Sequence, residues 1–309
     1  MNLSTFYYKF VCTSCNNLNK TIKNGIIYYG NLWRNTMNDV KEIEKSIIKK
    51  FRSKIYKKFV HAVKDFELIK ENDKICCCIS GGKDSFLLAK CMQELQIHSK
   101  YHFDLKFIVM DPGYKKENLD KIKANLKLLG IDAVIYKSDI FKEIENTTSP
   151  CYLCARKRRG SLYAKAEELG CNKIALGHHF DDAIETIMLN ILYAGEYKAM
   201  MPKLKSKNFK NMELIRPLYY IKEEDIISWA RYNNLNFLDC ACNVTKKSLG
   251  KRLEMKNLIK NLRKINKNVD INILNSSKNI NIDAVLGYKS KNLKYNFLDD
   301  YEERNIFDE

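Results

Sequence analysis

The feature that most constrains this chain is an alternation of two patterns. Short apolar runs at 75–79, 105–110, 133–136, 173–176 and 214–215 read as strands. Helical patterns lie between and after them, at about 84–97, 115–129, 152–169, 180–193 and 223–233. Strands that alternate with helices build βαβ units, and those build a parallel sheet. Runs this apolar suit strands covered on both faces. The expectation is an α/β fold, a parallel sheet with helices on both faces. Ligands of such open sheets sit beyond the carboxyl ends of the strands. The loops after the first, second and fourth strands are therefore expected to carry the chemistry.

The 309 residues, 45 % of them hydrophobic, suffice for a sizeable core. Four segments are expected. Residues 1–36 contain no Asp or Glu and read as an appendage, with Met37 as a candidate start. Residues 37–72 form an N-terminal helical segment, in which Ile43, Ile47, Ile48, Phe51, Ile55, Phe59 and Val63 recur at helical spacing. Residues 73–242 hold the α/β domain, and 243–309 a short Lys/Asn-rich C-terminal extension with a helical stretch near 250–264. No apolar run approaches the roughly 20 residues of a membrane helix. No secretory signal pattern opens the chain, so a cytoplasmic location without membrane attachment is expected.

The formal charge of +17 suggests a polyanionic partner. Only 10 of the 54 basic residues are Arg, so the Lys and Asn bias of an AT-rich genome is a competing cause. The eleven cysteines follow no framework spacing, which argues against a secreted disulfide scaffold. In a reducing compartment such cysteines point to metal or redox chemistry. The lone Cys12 and Cys15 pair stays unexplained.

The stretch "ISGGKDS" ends the first strand and opens a helix. Gly81 and Gly82 allow positive φ and close approach of a ligand to the backbone. The helix start offers unpaired N–H groups and partial positive charge. Ser80 and Ser85 add hydroxyls, and Lys83 adds a cation beside Asp84. Together they form an oxyanion cradle. Its spacing matches neither G-x-x-x-x-G-K-[ST] nor G-x-G-x-x-G. The cysteines before it, Cys76 to Cys78, alternate in direction along a strand and read as small core residues.

"ALGHHFDDAIETI" places Gly177, His178, His179, Asp181 and Asp182 where a helix begins after the fourth strand. Acids are favourable in a first turn on dipole grounds alone. They also suit Mg2+ held beside phosphates. The absence of H-E-x-x-H excludes a zinc protease of that type. Met110 and Asp111, ending the second strand, lie where adenine or ribose is expected on position alone.

"SPCYLCARKRRG" sets Cys151 and Cys154 two residues apart at a helix start, which favours thiolate. Cys240 and Cys242 lie about 90 residues later, after the last strand-like run. Spacing leaves three readings open: a four-cysteine zinc site, a redox pair of Cys151 and Cys154, or an iron–sulfur cluster on three of the four. Arg156, Lys157, Arg158 and Arg159, with Arg216 past a strand, suit either a solvated face or RNA phosphates.

"SGGKDS", "SPCYLCARKRRG", "ALGHHFDDAIETIMLNILYAG", "MMPKL" and "LIRPL", in this order, resemble the PP-loop tRNA thiolases. The resemblance is strongest to the tRNA 2-thiocytidine synthetases, the TtcA-like proteins. It spans about residues 41 to 242. It implies a Rossmann-like, adenine nucleotide alpha-hydrolase-like fold. It implies an ATP-dependent sulfurtransferase that adenylates the 2-carbonyl of a cytidine in the tRNA anticodon loop, position 32 in the family, and replaces the oxygen with sulfur.

Carried over, ATP is bound by Ser80, Gly81, Gly82, Lys83, Asp84, Ser85, Met110, Gly177 and Asp182. Lys83, Asp84 and Asp182 take catalytic roles with Mg2+. A [4Fe-4S] cluster is held by Cys151, Cys154 and Cys240, with Cys242 as the alternative third ligand in "DCAC". Its unligated iron would carry sulfide. Arg156, Arg158, Arg159 and Arg216 would contact RNA. The implied partners are tRNA, a sulfur donor such as a cysteine desulfurase, and a second copy in a homodimer. Competing expectations are a uridine thiolase on the same fold, a cluster-free enzyme using a cysteine persulfide, and a zinc-stapled RNA-binding protein without catalysis.

Overall fold

A computed structural model describes residues 22–23, 26–27, 39–138, 140, 150–238, 245–290 and 293–303. Of residues 22–23, 26–27, 150–152, 154–155, 245–249 and 303 it describes the backbone alone. The central sheet has six strands: β1 (Lys74–Ile79), β2 (Asp104–Asp111), β3 (Ala133–Lys137), β4 (Lys173–Ala175), β5 (Lys203–Lys205) and β6 (Glu213–Ile215). Their order is β3-β2-β1-β4-β6-β5. All neighbours pair in parallel except β5, which runs antiparallel to β6 at the edge. β5 is a strand that its sequence does not announce. Lys203, Leu204 and Lys205 are half-buried or exposed, as an edge allows.

Burial on β1 follows the period of two that a strand imposes. Ile75, Cys77 and Ile79 enter the larger core, with Phe86, Leu87 and Trp229. Cys76 and Cys78 face the opposite layer, with Tyr163, Cys171 and Ile174. The cysteine run is thus core filling on both faces of one strand.

The helices are α1 (Lys57–Asp65), α2 (Lys83–His98), α3 (Lys116–Leu128), α4 (Pro150–Glu168), α5 (Phe180–Leu189), α6 (Glu223–Tyr232), α7 (Thr245–Ile265) and α8 (Val269–Ser276). Two π-helical stretches, Ser46–Lys50 and Arg52–Tyr56, precede α1. The buried residues there explain them. Ile43, Ile47, Phe51, Ile55 and Phe59 recur every four residues and all enter the larger core. An α-helix of 3.6 residues per turn would rotate such a series by about 40° per step, about 160° over the run. The wider π turns hold the stripe on one face.

α7 and α8 cover α5. Ile259 and Leu274 meet Phe180, Ala183, Ile184 and Ile187 in a third apolar cluster. Asp270 fixes the corner between them, 2.8 Å from Lys222 Nζ and 3.3 Å from Arg263 Nε. Burial alone would raise its carboxyl, but Lys222, the Ile271 N–H and Arg263 outweigh burial and hold it below the ordinary range. A depressed carboxylate contributes stability above its unfolded pKa and loses it as pH falls through the folded one. Acidification to below the ordinary Asp range is therefore expected to loosen α7 and α8 first. Asp270→Ala should give faster amide exchange in these helices at neutral pH, and a smaller further change on acidification than in the wild type. Among the described residues, no helix is long and apolar enough to cross a membrane.

Candidate active site

β1 has β2 on one side and β4 on the other, so the strand order reverses beside it. That switch point opens a crevice at the carboxyl ends of β1 and β4. Two loops meet there. The first is Ser80 to Gly82, leading into α2. Gly81 adopts φ +91°, and a Cβ on it would sit 2.9 Å from the Ile122 side chain. Ser85 Oγ accepts from the Ser80 N–H at 3.1 Å and donates to the Gly82 carbonyl at 2.8 Å. The turn is thus held open at its centre and stapled at its ends.

The second loop runs from Gly177 to the start of α5. A Cβ on Gly177 would lie 3.0 Å from Asp84 C and Ser85 N. Only glycine lets β4's loop rest directly on the first turn of α2. Gly177→Ala is therefore expected to push the two loops apart. The cost should be about 1–3 kcal/mol, as in other overpacked positions. A lower Tm together with weakened nucleotide binding would report it.

His179 caps α5. Its N–H donates to Asp182 Oδ2 at 3.0 Å, and Asp182 N–H lies 3.5 Å from His179 Nδ1. His179 Nε2 stands 3.8 Å from Asp84 Oδ1 and 3.5 Å from Asp182 Oδ2, so the imidazole separates two carboxylates. Burial pushes the Asp84 carboxyl above its ordinary range, against the pull of His179 and Lys83. Burial works on Asp182 in the same direction, but His179, His178 and Arg252 outweigh it and hold the carboxyl low. Lys83 Nζ contacts Asp84 at 3.3 Å and Glu223 Oε1 at 3.1 Å. Burial disfavours its charge, yet these two acids outweigh burial and raise its pKa.

Two buried polar atoms here, His178 Nδ1 and Arg216 Nε, have no hydrogen-bond partner, and Asp84 Oδ1 has only its ion-pair contacts with Lys83 and His179. Most buried polar atoms are paired, so each exception asks for a cause. Burial pushes His178 down to about 4, so its imidazole is neutral. Among the described residues, no group of three or more His, Cys, Asp or Glu can hold a metal ion. Mg2+ binds through one or two carboxylates and completes its shell with phosphates and water.

The remaining expected residues divide. Met110 is buried at the end of β2, in a small apolar cluster with Ile140 and, at its margin, Leu153 of α4. Asp111 Oδ1 accepts from the Gly113 and Tyr114 N–H groups at 3.0 and 2.7 Å, a turn-forming role. Arg156 and Arg159 are exposed and Arg158 is half-buried. Arg216 is only 6 % exposed. It donates from Nη1 to the Met201 carbonyl, and burial and Arg159 lower its pKa to about 10. The side chains of Cys151 and Cys154, and all of Cys12, Cys15, Cys240 and Cys242, lie outside the described residues. Their described neighbours are informative. Leu153 packs at Met110, and the Leu238 N–H donates to the Gly81 carbonyl at 3.1 Å. Leu238 thus lies against the glycine loop, and Leu153 lies by the end of β2.

Sequence patterns did not point to Glu223, Arg252, Lys256 or Arg263 as members of the site. Arg252 Nη1 donates to Asp182 Oδ1 and Arg263 Nη2 to Asp181 Oδ1, both at 2.9 Å. Lys256 donates to Glu223 Oε2. Glu223 looks like any first-turn acid of α6, beside Glu224 and Asp225.

A glycine-bearing anion cradle and paired acids at the switch point of a parallel sheet define a nucleotide-binding α/β protein. The PP-loop domain model ATP_bind_3 matches residues 50–283. The tRNA-cytidine(32) 2-sulfurtransferase of Geobacter metallireducens is 40 % identical over 223 residues, 71 % of this chain and 86 % of that protein. The enzyme of the same name from Geotalea uraniireducens is 38 % identical over 223 residues, 71 % and 88 % of the two chains. Among solved structures, the U34-tRNA thiolase NcsA of Methanococcus maripaludis, solved with its [4Fe-4S] cluster, aligns with a TM-score of 0.57 at 23 % identity. It covers 79 % of this chain and 78 % of its own, and it shows the shared fold. The chain belongs to the PP-loop family and, within it, to the tRNA-cytidine(32) 2-sulfurtransferases.

Proposed function

We propose that this chain is an ATP-dependent tRNA thiolase that replaces the 2-carbonyl oxygen of a cytidine, position 32 in its relatives' name, with sulfur. One observation carries the reading: Gly177 packs on the Asp84–Ser85 backbone, which joins the anion cradle to the acidic start of α5.

The oxygen on C2 of cytosine is a poor leaving group. Attack of that oxygen on the α-phosphorus of ATP expels pyrophosphate and makes it a good one. A sulfur nucleophile then adds at C2, and AMP departs with the oxygen. Ser80, Gly81, Gly82 and Ser85 hold the β- and γ-phosphates through N–H and hydroxyl groups. Lys83 stabilises negative charge as the α-phosphorus is attacked. Asp84 and Asp182 hold Mg2+, which when bound neutralises charge between the phosphates. Gly177 keeps the two loops in contact, and Met110 backs the floor where adenosine lies.

Cys151 and Cys154, with Cys240 or else Cys242, supply a donor set of three thiolates that suits a [4Fe-4S] cluster. When bound, such a cluster supplies an iron site open to sulfide. Leu153 by the end of β2 and Leu238 on the Gly81 carbonyl, near neighbours of these cysteines in sequence, support this reading. Arg156, Arg158 and Arg159 meet tRNA phosphates. Arg216, being buried, acts from beneath that surface. A sulfur donor such as a cysteine desulfurase, a homodimeric state and a cytoplasmic setting belong to the same proposal.

Nucleoside mass spectrometry of tRNA from cells lacking the gene tests the substrate. Loss of 2-thiocytidine with thiouridines intact is the expected result. Intact 2-thiocytidine, or loss of a thiouridine in its place, would overturn the reading.

A further inference from the structure

α7 carries a stripe of cations that ends on the acids of the active site. Arg252, Lys256 and Arg263 are four and seven residues apart, so they share one helix face. Each reaches a carboxylate of the crevice. Arg252 pairs with Asp182 and Arg263 with Asp181, both at 2.9 Å, and Lys256 with Glu223. Glu223 also binds Lys83 of the cradle at 3.1 Å, so Lys83 and Lys256 share one carboxylate.

The three cations are not equivalent. Arg263 joins Asp181 to the buried Asp270 and so fastens α7 to α8 and α5. Its setting is structural. The side chains of Arg252 and Lys256 are 43 % and 50 % exposed, and their ion pairs in the crevice are with Asp182 and Glu223 respectively. Both acids lie one contact from the cradle: Asp182 through His179 to Asp84, Glu223 through Lys83.

We propose that Arg252 and Lys256 are triphosphate-binding residues. They pair with Asp182 and Glu223 beside the cradle, and they bind the β- and γ-phosphates when Mg–ATP occupies it. This rests on the reading of the crevice as an ATP site. The argument is one of charge. Asp182 would need its carboxylate free to hold Mg2+, and two cations do not share one carboxylate oxygen without cost. The triphosphate brings more negative charge than one Mg2+ cancels. The guanidinium and the ammonium on the same helix face are exposed cations already in contact with these acids. Charge-assisted bonds to phosphate are the strong outcome for both. α7 thus becomes part of the nucleotide site, and it reads the length of the phosphate chain.

Calorimetry on full-length, oxygen-free protein tests this with Mg–ATP and with AMP as probes. The double variant Arg252→Ala/Lys256→Ala should bind Mg–ATP at least tenfold more weakly and AMP almost as the wild type does. Arg252→Lys/Lys256→Arg, which keeps both charges, should recover most of the loss. A merely structural role would weaken ATP and AMP alike. That outcome, or an unchanged Mg–ATP affinity in the double variant, overturns the inference alone. A wild-type chain that binds no Mg–ATP overturns the functional reading, and the inference with it.

Discussion

Replacing Lys83 with alanine is expected to slow adenylation of tRNA by about 10²- to 10³-fold, the usual loss when one preorganised transition-state charge is removed. Lys83 is held between Asp84 and Glu223, which fix its ammonium and keep it charged at neutral pH. It opens α2, so it stands where the partial positive charge of the helix start adds to its own. The cradle's other donors remain in the variant. Ser80 and Ser85 still staple the turn, and Gly81 keeps its conformation. The loss should therefore fall on the rate more than on ATP binding. Single-turnover formation of AMP in the presence of tRNA and sulfide separates the two. A normal adenylation rate in Lys83→Ala would contradict the cradle assignment.

Cys151→Ala is expected to abolish 2-thiocytidine formation and leave Mg–ATP binding nearly unchanged. The two halves of the reaction are assigned to different groups, the cradle and the cysteines, so they should fail separately. Anaerobically purified wild-type protein should be brown, with broad absorption near ~400 nm from thiolate-bound iron and sulfide. The variant should lose that absorption and much of its iron. A variant that thiolates tRNA at the wild-type rate would remove the cysteines from the mechanism. A colourless wild-type protein carrying one zinc would favour the structural staple.

Much of the fold was legible because its strongest elements are local. The runs at β1, β2, β4 and β6 are apolar enough to announce buried strands, β3 is as apolar but lies at an edge with Val134 exposed, and α2, α3, α5 and α6 follow with helical spacing. β5 was not legible, since an edge strand of Lys, Leu and Lys has no buried face to advertise. The π turns before α1 were hidden for a different reason. A repeat of four fits an α-helix over two turns and drifts only over five.

At the site, the loop residues could be read because glycine, lysine and serine at one strand end have few other uses. The partnership of α7 with α5 and α6 could not. Arg252 and Asp182 are 70 residues apart, and nothing local in a Lys-rich stretch says which cation meets which acid. Glu223 was masked by the two acids that follow it. The reason for Gly177 also emerged only in three dimensions, because the atoms it must clear belong to Asp84 and Ser85.

The central claim is that the oxygen leaving C2 is carried off on AMP. tRNA bearing heavy oxygen at the 2-carbonyl of the target cytidine tests it directly, with ATP, Mg2+ and sulfide supplied to the oxygen-free protein. The account predicts the label in the phosphate of AMP, in amounts equal to the 2-thiocytidine formed. Label in inorganic phosphate alongside ADP, or in water, would contradict it.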